Sequence, residues 1–182
     1  VYADEYFTDR HHTPWGEAIN YDGPGNRAVR DFVIGNALHW QREYHFDGFR
    51  LDATHAILDD SPVHIVAELS RRLREDARPR YPIVIAEDGR NDVTVIHSHE
   101  QGGWGCDGMW ADDFHHELHV YLTGERDGYY ASYQGTPERI ASVIVEGMTY
   151  QGQVDPFLGK PRGTKATDEP ARSFVFCLQN HD

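Results

Sequence analysis

An arginine and an aspartate two residues apart, Arg50 and Asp52, sit within the stretch FDGFRLDATH at residues 46–55. In an extended strand alternate side chains share a face, so Gly48, Arg50 and Asp52 point one way while Phe49 and Leu51 fill the other. Buried charge is costly unless paired, and a neighbouring guanidinium keeps a carboxylate ionised and oriented, as a nucleophile or a metal ligand requires. The same two residues would also serve as a plain structural ion pair at a strand end. Glu87 follows the apolar run YPIVIA at residues 81–86, and Asn180, His181 and Asp182 follow SFVFCL at residues 173–178. Carboxylates converging at strand ends allow one to act as nucleophile and another as general acid, which is the equipment of a glycosidase. A retaining glycosidase sets the pair about 5 to 5.5 Å apart. Asp52, Glu87 and Asp182 would equally ligate Mg²⁺ or Ca²⁺, the rival use of the same residues.

The elements that must position these groups alternate. Residues 1–25 contain Pro14, Gly16, Gly23, Pro24 and Gly25 with no sustained period, which predicts a long irregular loop. From Asn26, a candidate N-cap, Val29, Val33, Ala37, Trp40 and Tyr44 recur at helical spacing. A second helix is expected over residues 62–76, with Ile65, Val66, Leu69 and Leu73 as its apolar stripe. The run at 81–86 has the β-branched character of a strand buried on both faces. A weaker strand at 107–111 precedes a helix from Asp112 or Asp113 to about residue 122. Thr136 and Pro137 open another helix, a loop rich in Gly, Pro and Lys fills 147–170, and the last buried strand spans 173–178. Strands alternating with amphipathic helices predict parallel βαβ units in an α/β fold, with polar residues gathered after the strands as in a (β/α)₈ barrel. A doubly wound sheet also gathers ligands at carboxyl ends, but no Gly-rich phosphate loop follows any strand.

The 182 residues suit one domain. With 30 Asp and Glu against 17 Lys and Arg, the formal charge of −13 argues against nucleic acid and anionic membrane surfaces as partners. Cys106 and Cys177 are too few for a disulfide framework or a cysteine zinc site, and they suit a reducing compartment as two buried small residues. No signal peptide or run of spanning length is evident, so a soluble cytoplasmic protein is expected. Aromatic residues make up 12% and many lie among Gly, Asp and His, as in sugar-binding clefts and in packed loops alike. Trp15 and Trp104, in Gly-flanked loops, are candidate sugar platforms or loop anchors. His115 and His119 stand four apart on a predicted helix with Glu117 between, but not as HExxH, so two binding or packing histidines are preferred to a metal site.

GFRLD at 48–52, Glu87 after its strand, and NHD at 180–182 resemble three short signature regions of the α-amylase superfamily, glycoside hydrolase family 13, in the right order. The longer segments YFTDRHHTPWGEAINYDGPG, DATHAILDDSP and DDFHHELHVYLTGERDGYY are similar to the branch of that family that releases trehalose from maltooligosyl trehalose. The resemblance implies Asp52 as nucleophile, Arg50 as its ionising partner and Glu87 as general acid and base. Asp182 would stabilise the oxocarbenium-like transition state, with His181 and Asn180 beside it as binding residues. Many superfamily members carry a histidine four residues after the nucleophile, where this chain has Ala56, so His55, one residue earlier, is taken as a binding residue. Asp113, His115 and His116 fall where the resemblance places substrate-contacting residues. It further implies that residues 1–182 form part of one (β/α)₈ catalytic domain, covering roughly strands four to seven, with 1–25 as an active-site loop. The first signature region is absent, no organic cofactor is implied, and no residue is assigned as a metal ligand. An α-glucan substrate is expected. Transfer to a sugar hydroxyl, as in a 1,4-α-glucan branching enzyme, and a non-catalytic glucan-binding role are the alternatives.

Overall fold

A computed structural model of the chain describes residues 3–180; His181 and Asp182 lie outside the described residues. Four parallel strands form one sheet in the order β3 (Gly48–Leu51), β4 (Ile83–Glu87), β5 (Gly108–Trp110) and β8 (Phe174–Val175). Helix α1 (Asn26–Glu43) precedes β3, and α2 (Ile65–Ala77) crosses from β3 to β4. Helices α3 (Asp113–Thr123) and α4 (Pro137–Glu146) follow β5. The expected alternation of strands and helices is therefore present, with four strands at the four expected places.

The main core lies between the sheet and the first two helices. Ile65, Val66, Leu69 and Leu73 bury the α2 stripe against Ile34 and Leu38 of α1 and Val84 and Ala86 of β4. Each such side chain contributes about 1.5 to 3 kcal/mol on full burial. Met109, Met148 and Phe174 form a second cluster beyond β5. The strand at 83–87 is fully buried on one face and only partly on the other. Val84 and Ala86 are fully buried against the helices, whereas Ile83 is 53% exposed on the face it shares with Ile85 and Glu87.

Several expected boundaries shift for identifiable reasons. Helix α1 takes Gly25, at φ 76°, as N-cap, because the Asn26 side chain donates to Tyr21 O instead. Helix α2 starts at Ile65 with His64 as its cap, since Asp59 is drawn inward to Arg30 while accepting from Ile65 N–H. Residues 1–25 are not irregular throughout. They hold an antiparallel hairpin, β1 (Phe7–Thr13) with β2 (Gly16–Ile19), whose side chains are mostly exposed and so leave no apolar alternation to read. The loop expected at 147–170 likewise contains a short hairpin, β6 (Val154–Asp155) with β7 (Lys160–Pro161). The last strand is only two residues long, and Leu178 at its far side is 73% exposed. Cys106 is buried as expected, but Cys177 is only half-buried, against the Trp110 indole N–H at 3.3 Å.

Candidate active site

Parallel register brings the carboxylates together. Arg50 pairs with Ile85 and Leu51 with Ala86, so Asp52, the next residue along, emerges beside Glu87 at the carboxyl end of β4. Gly48 is required in β3, because a Cβ there would run into Ile83 O of β4. The Arg50 guanidinium then reaches both acids. Its Nη1 donates to Asp52 Oδ1, and its Nη2 lies 2.8 Å from Glu87 Oε1. Ala53, in the left-handed region at φ 44°, turns its N–H onto Glu87 Oε2 at 2.8 Å. Such a conformation costs a non-glycine residue about 1 to 3 kcal/mol and persists only where surrounding contacts impose it. Here Thr54 imposes it from the next position, with Oγ1 donating to Glu87 O at 2.7 Å and to Asp88 Oδ2 at 3.0 Å. The two acids have unlike surroundings: the Glu87 side chain is 10% exposed and that of Asp52 72%.

These acids open into a cleft of about 550 Å³. Trp15, 76% exposed at the turn of the β1–β2 hairpin, stands on its rim. Asp112, His116, Tyr129 and Tyr133 line it from α3 and the segment after it, and Phe157 and Leu158 from the β6–β7 turn. Flat apolar faces interleaved with carboxylates suit a sugar, which offers both CH faces and hydroxyls. Burial among aromatic rings, with His115 adjacent, pushes the His116 imidazole down to about 3, so its ring is neutral. An ion-pair web runs through this wall. Arg162 contacts Asp113 Oδ1 at 3.2 Å and Asp155 Oδ2 at 3.1 Å, and the Tyr133 hydroxyl donates to Asp113 Oδ1 at 2.8 Å.

Of the residues singled out from the sequence, Asp52, Glu87, His55, Trp15 and His116 line the cleft, and Arg50 stands behind Asp52 and Glu87. Asp113 does not reach it: it is 1% exposed and accepts from Asn91, Tyr133 and Thr149 as well as pairing with Arg162. Asp112, the residue before it, faces the cleft instead. His115 is buried and, with Asn180, lines a separate cavity of about 240 Å³. On the helix, His119 Nε2 pairs with Glu125 at 2.8 Å and Glu117 accepts from Gly135 N–H. Trp104 is a loop anchor, stacked on His64 at 3.9 Å. Phe157 and Arg162 were silent in the sequence: both lie in a Gly- and Pro-rich segment without period, and only packing reveals them.

No family model matches the chain. It is 41% identical over 178 residues to the malto-oligosyltrehalose trehalohydrolase of Saccharolobus solfataricus, covering 97% of this chain and 31% of that protein. With the malto-oligosyltrehalose trehalohydrolase of Deinococcus radiodurans it is 45% identical, over 100% of this chain and 29% of the relative. A 1,4-alpha-glucan branching enzyme of Bacillus subtilis matches at 34% identity over 63% of this chain and 19% of that protein. A crystal structure of a putative alpha amylase from Salmonella typhimurium superposes with a TM-score of 0.87 at 40% identity, over 98% of this chain and 30% of that one. The chain thus spans under a third of the length of the trehalohydrolases it matches, and its sheet is a segment of the amylase-type (β/α)₈ barrel. By sequence and by fold, the chain is similar to one segment of the malto-oligosyltrehalose trehalohydrolases and of an amylase-type protein, under a third of each.

Proposed function

We propose that the full-length protein carrying this chain is a retaining glycoside hydrolase that cleaves the α-1,4 bond next to the terminal trehalose of maltooligosyl trehalose, releasing trehalose. Residues 1–182 would be one part of its catalytic barrel domain. The observation that carries this reading is the single Arg50 guanidinium reaching both Asp52 and Glu87 at the mouth of the cleft. One guanidinium touching both acids is compatible with the separation of about 5 to 5.5 Å that a retaining pair needs.

In the proposed reaction Glu87 gives its proton to the glycosidic oxygen as that bond breaks, while Asp52 attacks the anomeric carbon to form a glycosyl ester. Trehalose departs with the proton. Glu87, now a carboxylate, takes a proton from water as the water oxygen displaces Asp52 and frees the shortened glucan. Arg50 holds Asp52 ionised for the attack. Trp15, His55 and His116 would contact the sugar from the cleft walls, His116 through a neutral ring. Asp113 and His115 would support that wall from behind. His181 and Asp182 would bind hydroxyls of the reacting glucosyl unit, Asp182 as the third carboxylate. Free thiols at Cys106 and Cys177 suit work in the reducing cytoplasm.

The test is an assay of the full-length protein on maltooligosyl trehalose, with Asp52→Asn and Glu87→Gln. Free trehalose from the wild type, and a loss in kcat of at least about a thousandfold in either variant, is expected. The match to a branching enzyme favours a second reading, transfer to a sugar hydroxyl. New α-1,6 branches in place of trehalose would establish that reading, and binding of glucan without turnover would leave only a binding role.

A further inference from the structure

The guanidinium that joins the two acids is itself held loosely by hydrogen bonds. Arg50 Nη1 donates to Asp52. Its Nη2 lies 2.8 Å from Glu87 Oε1 but is not aligned for a hydrogen bond, and its Nε meets no acceptor among the described residues. Asp52 cannot fix it, being 72% exposed at a strand end. What the fork lacks, its flat face finds: the Arg50 guanidinium carbon stands 4.7 Å from the centre of the Trp110 ring.

Trp110 is well placed to be a fixed platform. In the β4–β5 ladder it is the register partner of Glu87, and in a parallel sheet register partners project from the same face. Its backbone is anchored on the other side by pairing with Val175. Its indole N–H donates to Cys177 Sγ at 3.3 Å, which sets the rotation of the ring. Trp110 does not line the cleft. It touches the group that touches the acids.

We infer that Trp110 is a positioning residue: its ring face clamps Arg50 by cation–π contact in the one orientation that reaches both Asp52 and Glu87. This rests on the proposed glycosidase reading for its kinetic consequence but not for its structural one. Cation–π contacts to a partly desolvated guanidinium are strong enough to change a rate by about tenfold. A phenylalanine keeps a π face, whereas leucine keeps bulk without one.

The experiment compares Trp110→Phe and Trp110→Leu in the full-length protein, by kcat and KM on maltooligosyl trehalose and by crystal structures of both variants. Trp110→Leu should lower kcat about tenfold with KM within about twofold of wild type, and Trp110→Phe should recover most of the loss. Arg50 should leave the two acids in the leucine variant and stay in the phenylalanine variant. A leucine variant with wild-type kcat, a loss that phenylalanine does not rescue, or an effect confined to KM would overturn the proposal. If Trp110→Leu does not fold, Trp110→Met carries the same comparison. Should the wild type cleave no α-glucan, the glycosidase reading fails and the crystal structures decide alone: Arg50 unmoved without the ring refutes the clamp, and Arg50 displaced upholds it.

Discussion

Glu87 and Asp52 are the same chemistry in unlike surroundings, one closed in by Arg50 and the Ala53 N–H, the other open to the cleft. That inequality is what lets two carboxyl groups take different roles. His116 adds a third group whose surroundings dictate its state. Burial against Tyr129 and Tyr133, with His115 adjacent, depresses it from 6.5 to about 3. Between those values the unfolded chain binds a proton that the folded chain refuses, so stability rises with pH through the window and is lost as pH falls through it. His116→Gln in the full-length protein should therefore flatten the fall in melting temperature between about pH 7 and about pH 4, while lowering the melting temperature itself little. An unchanged slope would contradict the assignment. At this scale the alternation of Gly48, Arg50 and Asp52 was legible, because a two-residue period needs no tertiary information. Which member of the Asp112–Asp113 pair faces the cleft was not. That depends on where the first turn of α3 starts, and a shift of one position turns a side chain by about a quarter turn or more.

Elements with a strong period were read correctly, and the two hairpins were missed for the same physical reason. In α2 the apolar stripe must meet β4 and so is written into the sequence, whereas β1 and β6 bury little and carry no pattern. Yet the β6–β7 hairpin supplies Phe157 and Leu158 to the cleft, and it is held by Arg162 rather than by apolar packing. Arg162 offsets two carboxylates, Asp113 and Asp155, each 1% exposed, and donates from Nε to Gly89 O at 2.9 Å, just past the end of β4. Removing one partner of a buried pair leaves the other charge uncompensated, typically at a cost of about 3 to 5 kcal/mol. Arg162→Ala should reduce unfolding free energy by roughly that much in urea titration, with KM rising as the wall loosens. A loss below about 1 kcal/mol would mean that the web is dispensable. Its spacing along the chain, 49 residues from Arg162 to Asp113, is why no local motif announces it.

Taken as a whole, the chain presents a four-stranded parallel sheet with β3 and β8 at its margins. Beside β3 an apolar groove of about 390 Å³ runs along α1, and Trp40, Tyr44 and Phe46 are 39%, 57% and 45% exposed. Open strand edges next to apolar surface invite pairing between molecules. The isolated 182 residues should therefore associate, giving high-mass species in size-exclusion chromatography with light scattering. A monodisperse monomer with a cooperative melt would contradict this. The barrel class was legible because polar residues recur after each strand, and the open margins followed from reading the chain as strands four to seven of a closed barrel. The central claim, that Asp52 attacks and Glu87 transfers the proton, concerns the assembled cleft and is tested most directly in the full-length protein. Glu87→Gln, given an α-glucosyl fluoride whose departure needs no acid, should accumulate a covalent adduct, and peptide mass spectrometry should locate the glucosyl group on Asp52. A label on another residue, or turnover of this substrate by Asp52→Asn at the wild-type rate, would contradict the account.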